Sequence, residues 1–224
     1  MPPRHLASLT HPLAITVDLV VCAVDGSRLA VLLTPARRRG LWALPQQTVR
    51  AGADPGAVAA DLAASALGRR SSWMAQVGAF GGNRRGADAA VLTIRYVAVT
   101  DRRSAAPDTI WRTIGDLPAM ATGQGANLTA ALGALRDRMD REPVAFRLLP
   151  PTFTLTALQN VYELLLGSRL HKASFRRMLQ AAYLVQPTDA WQHEGRGRPA
   201  QLFRYAPHRR RQSRQGVRFD LLQR

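Results

Sequence analysis

The order of segments between positions 154 and 205 constrains this chain more than any other feature. Thr154 stands where it can cap a helix, and Leu155, Leu158, Val161, Tyr162 and Leu165 recur at helical spacing behind it until Gly167 stops the run. After Ser168-Arg169-Leu170, a second helix over residues 172–183 sets Phe175, Met178, Leu179 and Ala182 at i, i+3, i+4 and i+7. Two strand-like runs, 182–186 and 201–205, then flank the polar, glycine-rich segment 192–198. Each helix has one apolar stripe to bury, so the two must pack on each other, and the ribbon is left to close the remaining side.

The opposite side of the second helix presents Lys172, Ser174, Arg176, Arg177 and Gln180, donors long enough to touch phosphates and base edges in a major groove. Gly195 and Gly197 allow a tight turn between the strands, with Arg196 and Arg198 at its tip, where the negative potential of a minor groove attracts cations. Helix, turn, basic helix and basic hairpin in this order describe a winged helix. Its candidate DNA contacts are Thr154, Lys172, Ser174, Arg176, Arg177, Arg196 and Arg198. Two alternatives stand beside that reading: an amphipathic surface helix turns basic residues outward in any case, and winged helices also serve protein–protein contacts.

Charge is distributed unevenly along the chain. The net charge is +16, and Lys172 is the only lysine. Residues 1–140 hold 16 arginines against 10 aspartates, whereas residues 141–224 hold 15 basic residues against five acids. A basic surface of this kind is favoured by counterion release from a duplex, although a coding bias toward arginine produces charge without any preferred face. Neither a secretory signal nor a membrane-spanning run is written in the sequence, so the expected compartment is the cytoplasm. Cys22, alone and among strand formers, reads as a buried apolar residue. His5, His11, His171, His193 and His208 have no metal-ligand spacing, and no cofactor is implied.

The front part has α/β character. Residues 15–24 and 29–33 read as a hairpin around Asp25-Gly26, and residues 73–80 and 89–99 as further strands separated by the loop Gly81-Gly82-Asn83-Arg84-Arg85-Gly86. Asp54-Pro55 opens a helix that ends at Gly68, and residues 127–139 form a second with Leu128, Ala131, Leu132, Leu135 and Met139 on one face. A short helical segment, 144–149, precedes Pro150-Pro151. The expected divisions are 1–140, 141–207 and a basic tail, 208–224.

Trp42-Ala43-Leu44-Pro45, then Val49, Gly52, a helix and Gly68, resemble the signature region of the Nudix fold, G-x5-E-x7-R-E-U-x-E-E-x-G-U. Laid on this chain, the first Gly falls on Gln47, the first Glu on Ala53, the Arg-Glu pair on Asp61 and Leu62, and the Glu-Glu pair on Ser65 and Ala66. Only Gly68 is kept. Glutamates at positions 62, 65 and 66 would share one helical face and grip magnesium. Leucine, serine and alanine supply no anionic cage for a hard cation. No glutamate occurs before Glu142. Asp54 and Asp61 remain, and Asp61 could share the face of Ser65, yet one carboxylate beside a leucine is a poor metal site.

Over about nine-tenths of its length the chain resembles the Nudix-related transcriptional regulators of NAD metabolism. The likeness is tightest at Leu148-Leu149-Pro150-Pro151-Thr152-Phe153-Thr154-Leu155-Thr156, at Val161-Tyr162-Glu163, at Phe175-Arg176-Arg177 and at Gly197-Arg198-Pro199-Ala200-Gln201-Leu202. The resemblance implies a Nudix-like α/β/α sandwich followed by a winged helix-turn-helix domain. It also implies a homodimeric repressor on palindromic operator DNA, gated by a nucleotide or sugar nucleotide such as ADP-ribose. This chain departs from the family at Gln46-Gln47, where paired glycines are common, and a side chain at 47 crowds the usual path of a phosphate chain.

Candidate effector contacts follow from chemistry. Arg37, Arg38, Arg39, Arg84 and Arg85 can clamp phosphates, Trp42 or Phe80 can stack a base, and Gln47 stands at the signature position. The alternatives for the same residues are solvated arginines and core aromatics. Two other functions remain in play: a Nudix hydrolase of nucleoside diphosphate derivatives with an unorthodox metal site, and a non-specific nucleic-acid binder driven by charge.

Overall fold

The central strand of the front sheet is β1 (Leu13–Asp25), apolar but for Thr16 and Asp18 before its closing turn. In the computed structural model, which describes residues 13–83, 90–101, 103, 105–193 and 199–207, β1 turns at Gly26 (φ 58) into antiparallel β2 (Arg28–Pro35). β3 (Trp42–Ala43) pairs with β2, and β4 (Gln46–Thr48) pairs with β1 at residues 16–18. On its other side β1 runs parallel to β6 (Ala90–Val99), which carries antiparallel β5 (Trp73–Asn83) at the edge. β7 (Ile110–Thr113) pairs with β2, completing a seven-stranded sheet of order β3-β2-β1-β6-β5 with β4 and β7 attached.

Strand alternation sends the two faces of β1 to different helices. Val17, Leu19 and Val21 meet Ala59, Ala63, Ala66 and Leu67 of α1 (Pro55–Leu67). That helix starts where Asp54 accepts a hydrogen bond from the Ala57 N–H at 2.9 Å, and it ends on Gly68 in the left-handed region. On the other face Val20 and Cys22, with Val97 and Val99 of β6, join Leu128, Ala131 and Leu135 of α2 (Gln124–Arg138). Burial pushes the Cys22 thiol up to about 12, so it stays a neutral packing group.

The second sheet has three antiparallel strands in the order β8-β10-β9. β8 (Thr152–Thr154) leads into α4 (Leu155–Leu166), α5 (Lys172–Ala182) follows, and β9 (Val185–Gln192) and β10 (Ala200–Tyr205) form the ribbon. α3 (Val144–Arg147) joins this unit to α2. Its Phe146 lies 5.9 Å from the Phe153 ring, 6.3 Å from Tyr162 and 4.5 Å from Tyr205, while Tyr162 lies edge-on to Phe175 at 5.3 Å. Each such pair contributes about 0.5–1.5 kcal/mol beyond area burial. The apolar cluster runs unbroken from β1 and β6 through α2 into α4 and α5, so the two parts share one core across positions 140–141.

The structure differs from the sequence expectations at several edges. Gly81, Gly82 and Asn83 belong to β5, not to the loop, because they pair with Leu92, Val91 and Ala90 of an apolar partner strand. Position 182 is helical, and Tyr183 (φ 51) ends α5 in the left-handed region, which moves the start of β9 from 182 to Val185. Gln192, expected in the wing turn, ends β9 opposite Ala200. The expected start of the second front helix at 127 moves back to Gln124, behind Gly123 (φ 81). Arg84, Arg85, Arg196, Arg198, Gly195, Gly197 and the tail 208–224 lie outside the described residues. Among the described residues no helix is long and apolar enough to cross a membrane.

Candidate functional site

Two features stand out: the outward face of α5 and a polar row across the front sheet. Phe175 and Leu179 are fully buried and orient α5, which leaves Lys172, Arg176, Arg177 and Gln180 exposed along its outer side. None of these four has a side-chain partner among the described residues, so their donors are free for an incoming acceptor. Ser174 is half-buried, with its hydroxyl 3.2 Å from His171 Nδ1. Thr154 caps α4, its Oγ1 accepting from the Ala157 N–H at 3.0 Å, which places it at a helix start where orphan N–H groups gather.

The turn that aims α5 is held by Glu163. Its Oε1 accepts from the Leu170 N–H and from Gln159 Nε2, each at 2.9 Å, and its Oε2 accepts from Arg169 at 2.9 Å. Burial alone would raise its pKa. The Leu170 N–H, Gln159 and Arg169 outweigh that effect and hold the carboxyl below its ordinary value. Gly167 (φ 71) supplies the left-handed residue before the turn.

In the front sheet, Gln46, Asp18 and Arg95 stand side by side on β4, β1 and β6. Asp18 and Arg95 are 1% and 5% exposed. Asp18 accepts from Gln46 Nε2 on one oxygen, and from Asn127 Nδ2 at 3.1 Å and Arg95 at 3.5 Å on the other. The Arg95 guanidinium also lies 4.3 Å from the centroid of the Phe80 ring, and its Nε is buried without a hydrogen-bond partner. Phe80 itself is 41% exposed. A buried donor left unmade costs about 1–3 kcal/mol, so an acceptor reaching Arg95 past the Phe80 ring recovers that cost.

The remaining effector candidates are spread out. Arg37, Arg38 and Arg39 are exposed in the turn between β2 and β3, and their side chains have no partner among the described residues. Trp42 is half-buried against the core, and Gln47 is exposed on β4 opposite Val17. Phe80 sits on the far edge strand, three strand spacings or roughly 14 Å from β2. Sequence reasoning singled out Phe80 and Gln46 but missed Asp18, Arg95 and Asn127. A charge inside an apolar strand was the available signal at both 18 and 95. On α1, Asp61 and Ser65 are exposed, Leu62 is half-buried and Ala66 is buried.

The profile of the NrtR DNA-binding winged helix domain matches residues 145–205. The "ADPR responsive transcriptional repressor NtrR" of Acinetobacter baylyi is 30% identical over 204 residues, spanning 85% of this chain and 81% of its own length. This chain belongs to the NrtR family. Among solved structures, Shewanella oneidensis NrtR complexed with a 27mer DNA superposes with a TM-score of 0.76 at 27% identity, over 86% of this chain and 94% of that one. A MutT/nudix family protein from Enterococcus faecalis matches in fold at a TM-score of 0.70 and 18% identity, over 86% of this chain and 88% of its own. The NrtR architecture, a Nudix-like α/β sandwich with a C-terminal winged helix, therefore holds for the whole described chain. α5, the helix that precedes the β9–β10 ribbon, lies within the matched residues.

Proposed function

We propose that this NrtR-family chain is an effector-gated transcriptional repressor that binds operator DNA as a homodimer and does not hydrolyse its effector. The observation that carries the reading is α5, whose buried stripe fixes its orientation and whose outer face offers Lys172, Arg176 and Arg177 with no acid paired to them among the described residues. Arg176 and Arg177 read base edges, and Lys172 with Ser174 contacts phosphates. Thr154 sets the N-terminus of α4 against the backbone, while Arg196 and Arg198 of the wing reach the minor groove. A homodimer presents two such helices to the half-sites of a palindrome. Such a repressor works on chromosomal DNA, in the cytoplasm.

The effector is ADP-ribose or a related sugar nucleotide, in keeping with the ADPR response of the A. baylyi relative. A molecule of two phosphates between two bulky ends is suited to reach from the Arg37–Arg39 turn across the sheet to Arg95 on β6 and Phe80 on β5. Trp42 and Gln47 border that path, and Arg84, outside the described residues, is the further candidate for a phosphate contact. Magnesium does not fit α1: an exposed aspartate and a serine hydroxyl beside Leu62 and Ala66 make no cage for a hard cation. The sensor therefore binds without cleaving.

A labelled duplex from the region upstream of its own gene, titrated with the full chain at physiological salt beside a random duplex, tests the proposal. Preference for the operator, changed by ADP-ribose while no AMP is released, supports it. Equal affinity for both duplexes refutes the regulator, and AMP release with magnesium refutes the silent sensor.

A further inference from the structure

A cleft of about 480 Å³ opens where the reader meets the sensor, well away from the polar row. Its apolar walls are Ile114 after β7, Leu132 of α2, and Leu164 and Leu165 of α4, and its rim carries Arg28 at the start of β2 and Arg136 of α2. The volume lies in the range of roughly 300–1,000 Å³ typical of small-molecule sites, which favour the joints between domains. Asn127, which bonds Asp18, and Arg136 are nine residues apart on α2, so the two sites are separated by about 13 Å of helix.

The lining chemistry selects the occupant. Among the described residues no carboxylate lines the cleft and Arg28 has no side-chain partner. Arg136 donates through Nε to the Leu165 carbonyl, which ties α2 to the end of α4. Its terminal NH groups have no partner among the described residues. Two guanidinium groups around an apolar floor attract an anion and reward an apolar body beneath it. We propose that this cleft is a second effector site for a small soluble anion with an apolar body, whose occupancy sets how the reader sits on the sensor. Both parts contribute walls, so an occupant contacts one arrangement of α4 against α2 better than another and shifts the population toward it.

The test uses 8-anilinonaphthalene-1-sulfonate, an aromatic anion, with the full chain at neutral pH. The proposal expects saturable fluorescence at one probe per chain that persists at saturating ADP-ribose with a shifted affinity, because two ligands that bias one arrangement of reader and sensor are coupled. Arg28→Ala and Arg136→Ala should each weaken binding by about fivefold or more, the scale of losing one charge-assisted contact. Leu132→Trp should fill the cleft and abolish binding. Arg28→Glu lies at the exposed start of β2 and leaves the core untouched, so its loss of binding carries the test if Leu132→Trp lowers the melting temperature. Undiminished binding in Arg28→Glu, or competitive displacement of the probe by ADP-ribose that goes to completion without saturating, overturns the site. So does a change in sedimentation of Leu132→Trp with no probe bound to the wild type, because the cleft would then be a contact between copies of the chain. Probe binding is read without DNA, so it stands or falls separately from the repressor reading.

Discussion

Replacing Asp18 with alanine removes the one carboxylate from a set of three donors. The Arg95 side chain is 6% exposed and that of Asp18 is 2% exposed, so neither strand can offer water in its place. Gln46 and Asn127 lose the same acceptor. Breaking a buried ion pair by deleting one partner costs about 3–5 kcal/mol, because the surviving charge is left uncompensated. For a chain of this size each kcal/mol lowers the melting temperature by about 2–4 °C, so Asp18→Ala should melt roughly 6–20 °C below the wild type in calorimetry. The double variant Asp18→Leu/Arg95→Met removes both charges and keeps apolar volume, and it should recover to within about 1–2 kcal/mol of the wild type. Isothermal titration of the double variant should nevertheless show loss of ADP-ribose binding, since the free Arg95 donor beside Phe80 is gone. Asp18→Ala melting within about 2 °C of the wild type would refute the energetic reasoning. Unchanged ADP-ribose affinity in the double variant would remove the polar row from the effector cleft.

Arg176→Ala and Arg177→Ala should each cost about 1–3 kcal/mol of operator affinity with specificity relaxed at one base position, measured by anisotropy against single-base operator variants. Lys172→Ala should weaken binding equally on all sequences and reduce the salt slope by about one. Glu163 has a folded pKa held below its ordinary value of 4.5, so the stability it contributes is present above that value and lost as pH falls through the folded one. Glu163→Gln should therefore flatten the acid limb of a stability–pH profile, and a limb unchanged from the wild type would count against the role given to this turn. Gly167→Ala meets no atom within 4 Å but must hold φ 71, so it should lose about 1–2 kcal/mol in urea unfolding from the backbone alone.

The elements most legible in the sequence are those whose signals are local. α1 and α4 carry their own caps, Asp54 and Thr154, and their own stops, Gly68 and Gly167, and both form where those residues stand. The β1–β2 hairpin is likewise marked by its turn. β4 and β8, each three residues long, have no periodicity to display and exist because β1 and β10 offer them ladders. The end of β5 was hidden in the same way, since Gly81-Gly82-Asn83 reads as a loop until β6 is placed beside it. The outward face of α5 could be read from helical spacing alone. Asp18 and Arg95 could each be noticed as a charge in an apolar strand, but their pairing depends on a parallel register between positions 77 residues apart, which no local pattern records.

The most direct test of the central claim, that a sensor domain gates this winged helix, is anisotropy of the labelled upstream duplex with the full chain, with and without ADP-ribose, at physiological salt. The account predicts operator binding about a thousandfold or more tighter than to random duplex. It further predicts a change of at least about fivefold on adding ADP-ribose. Equal affinity for both duplexes, or an operator affinity indifferent to ADP-ribose, would contradict it.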